Sequence, residues 1–87
     1  AGRHLAYLEK LVDMRVKAII SGQHRAHYGS VAALAAALGE VKESRGDYGA
    51  KNRLLLGYRE MFPRHSSFHE ELRRYGMPDT RKNARRR

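Results

Sequence analysis

Residues 63–78 read PRHSSFHEELRRYGMP, and this stretch carries the clearest local instructions in the chain. Ser67 followed three positions later by Glu70 matches a capping box, in which the hydroxyl and the carboxylate each accept a backbone N–H at a helix start. Glu70 and Glu71 stand toward the positive end of the helix dipole, Arg73 and Arg74 toward the negative end. Gly76 supplies the left-handed residue that closes many helices, with Met77 and Pro78 beyond it. The spacing predicts a short helix whose buried stripe is Phe68, Leu72 and Tyr75. With no alternating apolar and polar run and no internal repeat elsewhere, the chain reads as all-α.

Upstream, Pro63 pushes the preceding residue out of the helical region and so ends a third helix. Asp47 is its expected cap, Leu55, Tyr58 and Phe62 share one side with Tyr48 seven positions before Leu55, and Lys51, Arg53 and Arg59 project elsewhere. Ser44–Arg45–Gly46 reads as a break, the alternative being one kinked helix through this point. Before the break, Ser30 is the expected cap of a second helix with Val31, Leu34, Leu38 and Val41 as its stripe. Its alanines at 32, 33, 35, 36 and 37 fit either strong helix propensity or close approach of a neighbour, and Gly39 weakens the interior. Residues 22–29, GQHRAHYG, lack apolar periodicity and read as a loop. The first helix spans Arg3 to Ser21 with Leu5, Leu8, Val12, Val16 and Ile19 at steps of three and four. The expected architecture is a small bundle of about four helices over residues 1–77, followed by a basic disordered tail, PDTRKNARRR, over 78–87.

Eighty-seven residues allow one small domain. A chain of this size buries only about 60% of the surface its unfolded form exposes, so help from a partner is expected. Lys and Arg number 18 against 9 Asp and Glu, a net charge of +9, which points to a polyanion. Residues 1–44 carry six basic and four acidic residues, whereas 45–87 carry twelve and five, and only Lys51 and Lys82 among those twelve are lysines. Guanidinium forks pair with phosphate bidentately and stack on bases, so arginine dominance favours structured nucleic acid over a merely solvated surface. The absence of cysteine excludes disulfides, cysteine-type zinc fingers and thiol catalysis while leaving the compartment open. No apolar run approaches the ~18 residues of a membrane span, and no helix pattern in the tail suits a lipid surface, so no membrane partner is expected. Neither a helix-turn-helix signature nor zinc-finger spacing is present, which favours RNA over DNA.

His24, Arg25 and His27 in the first loop suit phosphate contact or base stacking, an ordinary polar loop being the plainer alternative. Charge arithmetic adds Arg45, Lys51, Arg53, Arg59, Arg64, Arg73, Arg74, Arg81, Lys82, Arg85, Arg86 and Arg87 as the anion-binding set. His65 and His69 are four apart, yet His65 is expected before the helix and no Glu follows it as in metalloproteases, so no metal is assigned. Capping accounts for Ser66 and Ser67 without nucleophilic chemistry. With no phosphate loop and no carboxylate pair, neither an enzyme nor a cofactor nor a small-molecule substrate is expected.

Residues 52–77, NRLLLGYREMFPRHSSFHEELRRYGM, resemble the last two helices of the ribosomal small-subunit protein 15 family, uS15. Arg53, Leu55, Leu56 and Tyr58 fit the first half of that motif; Phe68, Leu72, Tyr75, Gly76 and Met77 fit the second after one extra residue in the link. Gly29–Ser30 before an apolar helix is similar to the family's second-helix start. Between Gly29 and Tyr58 the chain is too short for the family's His-x-x-x-His-x-x-Asp-x-x-Ser segment, which meets a ribosomal RNA junction. The resemblance implies a ribosomal RNA-binding protein of the small subunit with ribosomal proteins as neighbours. Arg53 and Tyr58 would face RNA, and Gly29–Ser30 would lie near a backbone. A shortened version implies an organellar, mitochondrial ribosome, a cytoplasmic one being the alternative. More distantly, Leu56-Gly57-Tyr58-Arg59 resembles the Leu-Tyr-Arg assembly proteins, which would imply a helical adaptor of a mitochondrial complex; a small DNA-binding protein is a third expectation.

Replacing Arg85, Arg86 and Arg87 with alanine is expected to weaken RNA binding and flatten its salt dependence, as read by a titration across ionic strength. An unchanged affinity and slope would remove the tail from the binding surface.

Overall fold

The computed structural model describes residues 2–76, which form four α-helices joined by short links, with no strand among the described residues. Helix α1 spans Gly2–Ser21, a 3₁₀ turn spans Arg25–His27, and α2 spans Tyr28–Ser44, α3 Ala50–Met61 and α4 Ser66–Arg74. The fold is all-α. Residues 77–87, including the tail arginines, lie outside the described residues.

Helix α2 is the centre, with α1, α3 and α4 each packed on it. Its buried face is Tyr28, Val31, Ala32, Ala35, Ala36, Leu38 and Gly39, whereas Leu34 and Val41, expected inside, are more than a third exposed. The alanines explain the shift. A stripe of small residues lets three neighbours approach, and their larger side chains supply the volume: Val12, Val16 and Ile20 from α1, Leu55 and Tyr58 from α3, Phe68 and Leu72 from α4. The inner stripe of α1 runs to Ile20, fully buried, with Leu5, Leu8 and Ile19 only partly covered. Tyr28 and Phe68 meet edge to face with centroids 5.9 Å apart, and Phe62 meets Phe68 at 6.1 Å.

The helix starts differ from expectation. Helix α2 begins at Tyr28, so Gly29 and Ser30 lie in its first turn and Ser30 is not the cap; with Tyr28 buried against Phe68, the chain enters the helix three residues early. Asp47 does not cap α3 either. Gly49, at φ +80°, occupies the cap position, and the Glu43 carboxylate of α2 accepts the Lys51 N–H at 3.2 Å. Tyr48 lies outside the helix and is the most exposed large apolar residue among those described. In α4 no capping box forms: His65 is the cap without a side-chain bond, Ser67 is already the second helical residue, and Glu70 and Glu71 sit past the first turn. Tyr75 follows the helix and is 38% exposed.

The helix ends follow the sequence closely. Gly46 (φ +100°) and Gly76 (φ +120°) take the left-handed position after α2 and α4. Behind Gly46, the N–H groups of Gly46 and Asp47 reach back to Glu43 and Lys42, so the two helices are separate rather than one kinked rod. At the end of α1 it is Gln23, φ 57°, that takes this role, with its N–H and that of His24 donating to Ile20 and Ile19. Pro63 ends α3 at Met61 as expected.

Gly39 is where α2 and α3 come closest: a Cβ there would lie 2.5 Å from the Lys51 Cα. Gly39→Ala is therefore expected to destabilise, since forced backbone separation costs about 1–3 kcal/mol against a propensity gain of about 1 kcal/mol. Gly57→Ala, with nothing within 4 Å of the new methyl, is expected to stabilise by about 0.5–1 kcal/mol. Urea denaturation of both variants checks the pair, and equal signs would refute the close contact.

Candidate nucleic-acid interface

The cations sort by whether a carboxylate holds them. Lys51 reaches Glu40 at 3.0 Å, Arg53 pairs with Asp47 and donates to the Tyr48 carbonyl, and Arg74 lies 3.4 Å from Glu71. The first two tie neighbouring segments together, and the third lies within α4. Arg25, Arg45, Arg59, Arg64 and Arg73 make no ion pair among the described residues. All but the half-buried Arg73 are exposed. Arg81, Lys82, Arg85, Arg86 and Arg87 lie outside the described residues.

Two of the unpaired arginines converge. Arg25 from the 3₁₀ turn and Arg64 from the α3–α4 link line one cleft of about 250 Å³, together with Gln23, Tyr28 and the start of α4 at His65, Ser66 and Ser67. No side chain caps α4, so the cleft meets the positive end of its dipole with unsatisfied backbone donors and two serine hydroxyls. His65 sits at the rim against Phe62, ring centroids 5.5 Å apart, and its Nδ1 is buried without a partner. A second, open cleft of about 400 Å³ is lined by Arg59, Ser66, His69, Glu70 and Arg73. Ser66 borders both, so the two make one strip with four arginines and a single acidic side chain.

The remaining expected residues lie elsewhere. His24 and His27 are exposed, on the same turn as Arg25 but off the cleft lining. Gly29 faces α4, where an added Cβ would stand 3.2 Å from Glu71 Oε1, and Ser30 is exposed. Arg45 is at the far end of α2. Tyr58, expected to face RNA, is a core residue at 4% exposure. Its hydroxyl donates to Asp13 at 3.0 Å, tying α3 to α1. Burial, then the Asp13 bond, raises the phenol above its ordinary range, while Lys17, 2.8 Å away, is first among the causes that lower Asp13. His69 has Nε2 2.8 Å from the Phe62 carbonyl. Gln23, Ser66 and Ser67 as cleft residues carried no signal of their own. Only the fold brings two links 39 residues apart to one helix start.

No protein-family model, curated protein or solved structure matches the chain. Among the described residues no helix is long and apolar enough to cross a membrane.

A phenol whose pKa is raised in the fold stabilises fully below its unfolded value of about 10, and that contribution fades as pH climbs through the folded one. Tyr58→Phe is expected to cost about 1 kcal/mol at neutral pH and to lose less stability than the parent between pH 10 and 12. Parallel urea curves at pH 7 and 11 test it, and an identical alkaline loss in both would remove the Tyr58–Asp13 bond from the account.

Proposed function

We propose that this chain is a non-catalytic RNA-binding module that takes successive backbone phosphates along the strip from Arg25 and Arg64 to Arg59 and Arg73. The observation that carries the reading is the convergence of two unpaired arginines on the uncapped start of α4. Planar guanidinium forks give two parallel N–H donors to a phosphate, and first-turn backbone N–H groups add directional donors that an ordinary solvated surface lacks. The clefts are open and polar, which suits a ribose-phosphate backbone better than an enclosed small molecule. Folded RNA is favoured because such contacts read shape and backbone rather than the base edges of a duplex groove. The resemblance of residues 52–77 to uS15 supplies the setting: a structural place in a ribosomal small subunit, organellar by the shortened hairpin, beside other ribosomal proteins. In this reading Tyr58 and Arg53 hold the helices and the unpaired arginines do the binding.

Arg25→Ala with Arg64→Ala should weaken binding of a structured RNA hairpin and reduce the slope of log affinity against log salt by roughly 1.5, the share of two phosphate contacts. Lys51→Ala, which removes a structural cation, should leave that slope nearly unchanged. Fluorescence anisotropy from low to moderate salt, with circular dichroism to show that the helices persist, reads both. A slope that ignores Arg25 and Arg64 rejects the strip. Loss of the chain from ribosomal particles without loss of hairpin affinity would separate the setting from the binding.

A further inference from the structure

Helix α1 carries a second apolar stripe that faces away from the bundle. Tyr7, Leu11, Met14 and Ala18 follow one another at steps of four, three and four, the heptad spacing that keeps one seam toward a partner helix. All four are exposed, Tyr7 at 61%, Leu11 at 44% and Met14 at 59%. The opposite side of the same helix, through Val12, Val16 and Ile20, is the one packed on the core. Three large apolar side chains in register on one exposed face exceed the scattered singles that a surface ordinarily shows.

The flanks of this stripe are all one sign. With Leu11 and Ala18 as first positions of the heptad and Tyr7 and Met14 as fourth, Lys10 and Lys17 fall at the seventh positions and Arg15 at a fifth, the places that set partner choice in helix pairs. Of the acidic residues of α1, Glu9 is turned away to pair with Lys42 of α2 at 2.6 Å, while Asp13 accepts from the Tyr58 hydroxyl and pairs with the flanking Lys17 at 2.8 Å, which leaves Lys10 and Arg15 as the flank cations that act outward. Lys10 and Arg15 make no ion pair among the described residues.

We infer that the outer face of α1 docks an amphipathic helix of a partner protein, one with its own apolar seam flanked by glutamate or aspartate. Charge excludes the other occupants. In a parallel pair of two copies Lys10 would face Arg15, and in an antiparallel pair lysine would face lysine and arginine would face arginine, so self-association sets cation against cation either way. A membrane surface would meet only a narrow apolar ridge, because exposed Lys10 and Lys17 border it on one side and exposed Arg15 on the other, whereas interfacial helices bury a broad apolar face. The acidic partner helix matches both the width of the seam and the sign of its borders. It also acts on a different helix from the arginine strip, so this docking stands or falls independently of RNA binding.

The probe is a synthetic 21-residue helix with leucine at every seam position and glutamate at every flanking position, titrated against the full chain by calorimetry. A second peptide carries lysine in place of each flanking glutamate. The acidic peptide is expected to bind at least tenfold more tightly than the basic one. Met14→Glu, a change at an exposed position, should weaken it at least tenfold with helicity and RNA affinity unchanged. Lys10→Glu combined with Arg15→Glu should reverse the preference between the two peptides, a result that damage to the fold cannot imitate. Equal binding of both peptides, binding of neither, or a charge reversal that leaves the preference in place would overturn the proposal. So would a concentration-dependent dimer in sedimentation that Met14→Glu abolishes, which assigns the face to a second copy. Binding to phosphatidylserine–phosphatidylcholine vesicles that Met14→Glu abolishes, with no peptide preference, assigns it to lipid and overturns the proposal equally.

Discussion

Everything in this bundle depends on α2 being thin. A chain of 87 residues cannot enclose a large core of its own side chains, and α2 meets that constraint with Ala32, Ala35, Ala36 and Gly39, all buried. Small side chains on the central helix bring the backbones of its neighbours close, and the volume is filled from outside by Val16, Ile20, Leu55, Phe68 and Leu72. The closest point is Gly39 against Lys51. That approach places the Lys51 N–H within reach of Glu43 and its ammonium within reach of Glu40, so the start of α3 is satisfied by a side chain of α2. Packing here determines capping, the reverse of the order in which a sequence is usually read.

That reversal explains which elements the sequence disclosed. The four helices and their ends were readable because helix ends are written locally: Gly46 and Gly76 need only their own φ freedom, and Pro63 acts on its immediate neighbour. The starts were not. Ser30, Asp47 and Ser67 each had the right chemistry for a cap, but Tyr28 packing on Phe68, Glu43 reaching Lys51, and the pull of Arg53 on Asp47 are contacts between segments. The alanines of α2 posed the same difficulty. Propensity and close approach leave the same letters, and only three neighbouring helices distinguish them. Of the arginine strip, the residue types were readable and the grouping was not, because Arg25 and Arg64 belong to different links.

Electrostatics acts in this molecule mainly by subtraction. Exposed ion pairs contribute little each, about 0–1 kcal/mol, and the pairs of Glu9, Asp13, Glu40, Asp47 and Glu71 are all at least partly solvated. Their larger consequence is selection. Each acidic residue that ties two segments together neutralises one cation and leaves another standing alone. Net charge counts Lys51 and Arg64 alike, yet one is a strut between α2 and α3 and the other opens onto a cleft. A composition of +9 announces a basic protein; the distribution of its carboxylates decides where the basicity acts.

The unpaired cations then divide by their surroundings. Around Arg25 and Arg64 lie Gln23, the Ser66 and Ser67 hydroxyls and the start of α4, a set rich in donors, and such an array is complementary to oxygens that carry charge and have nothing apolar to offer. Around Lys10 and Arg15 the neighbours are Tyr7, Leu11 and Met14, which gain from burial only against carbon. A polyphosphate backbone laid on α1 would neutralise the cations and leave the seam wet. An acidic helix laid in the cleft would bring carboxylates but fill polar space with methyl groups that find no apolar contact. The two surfaces therefore call for partners of different chemistry, and a total of positive charges could not have told them apart.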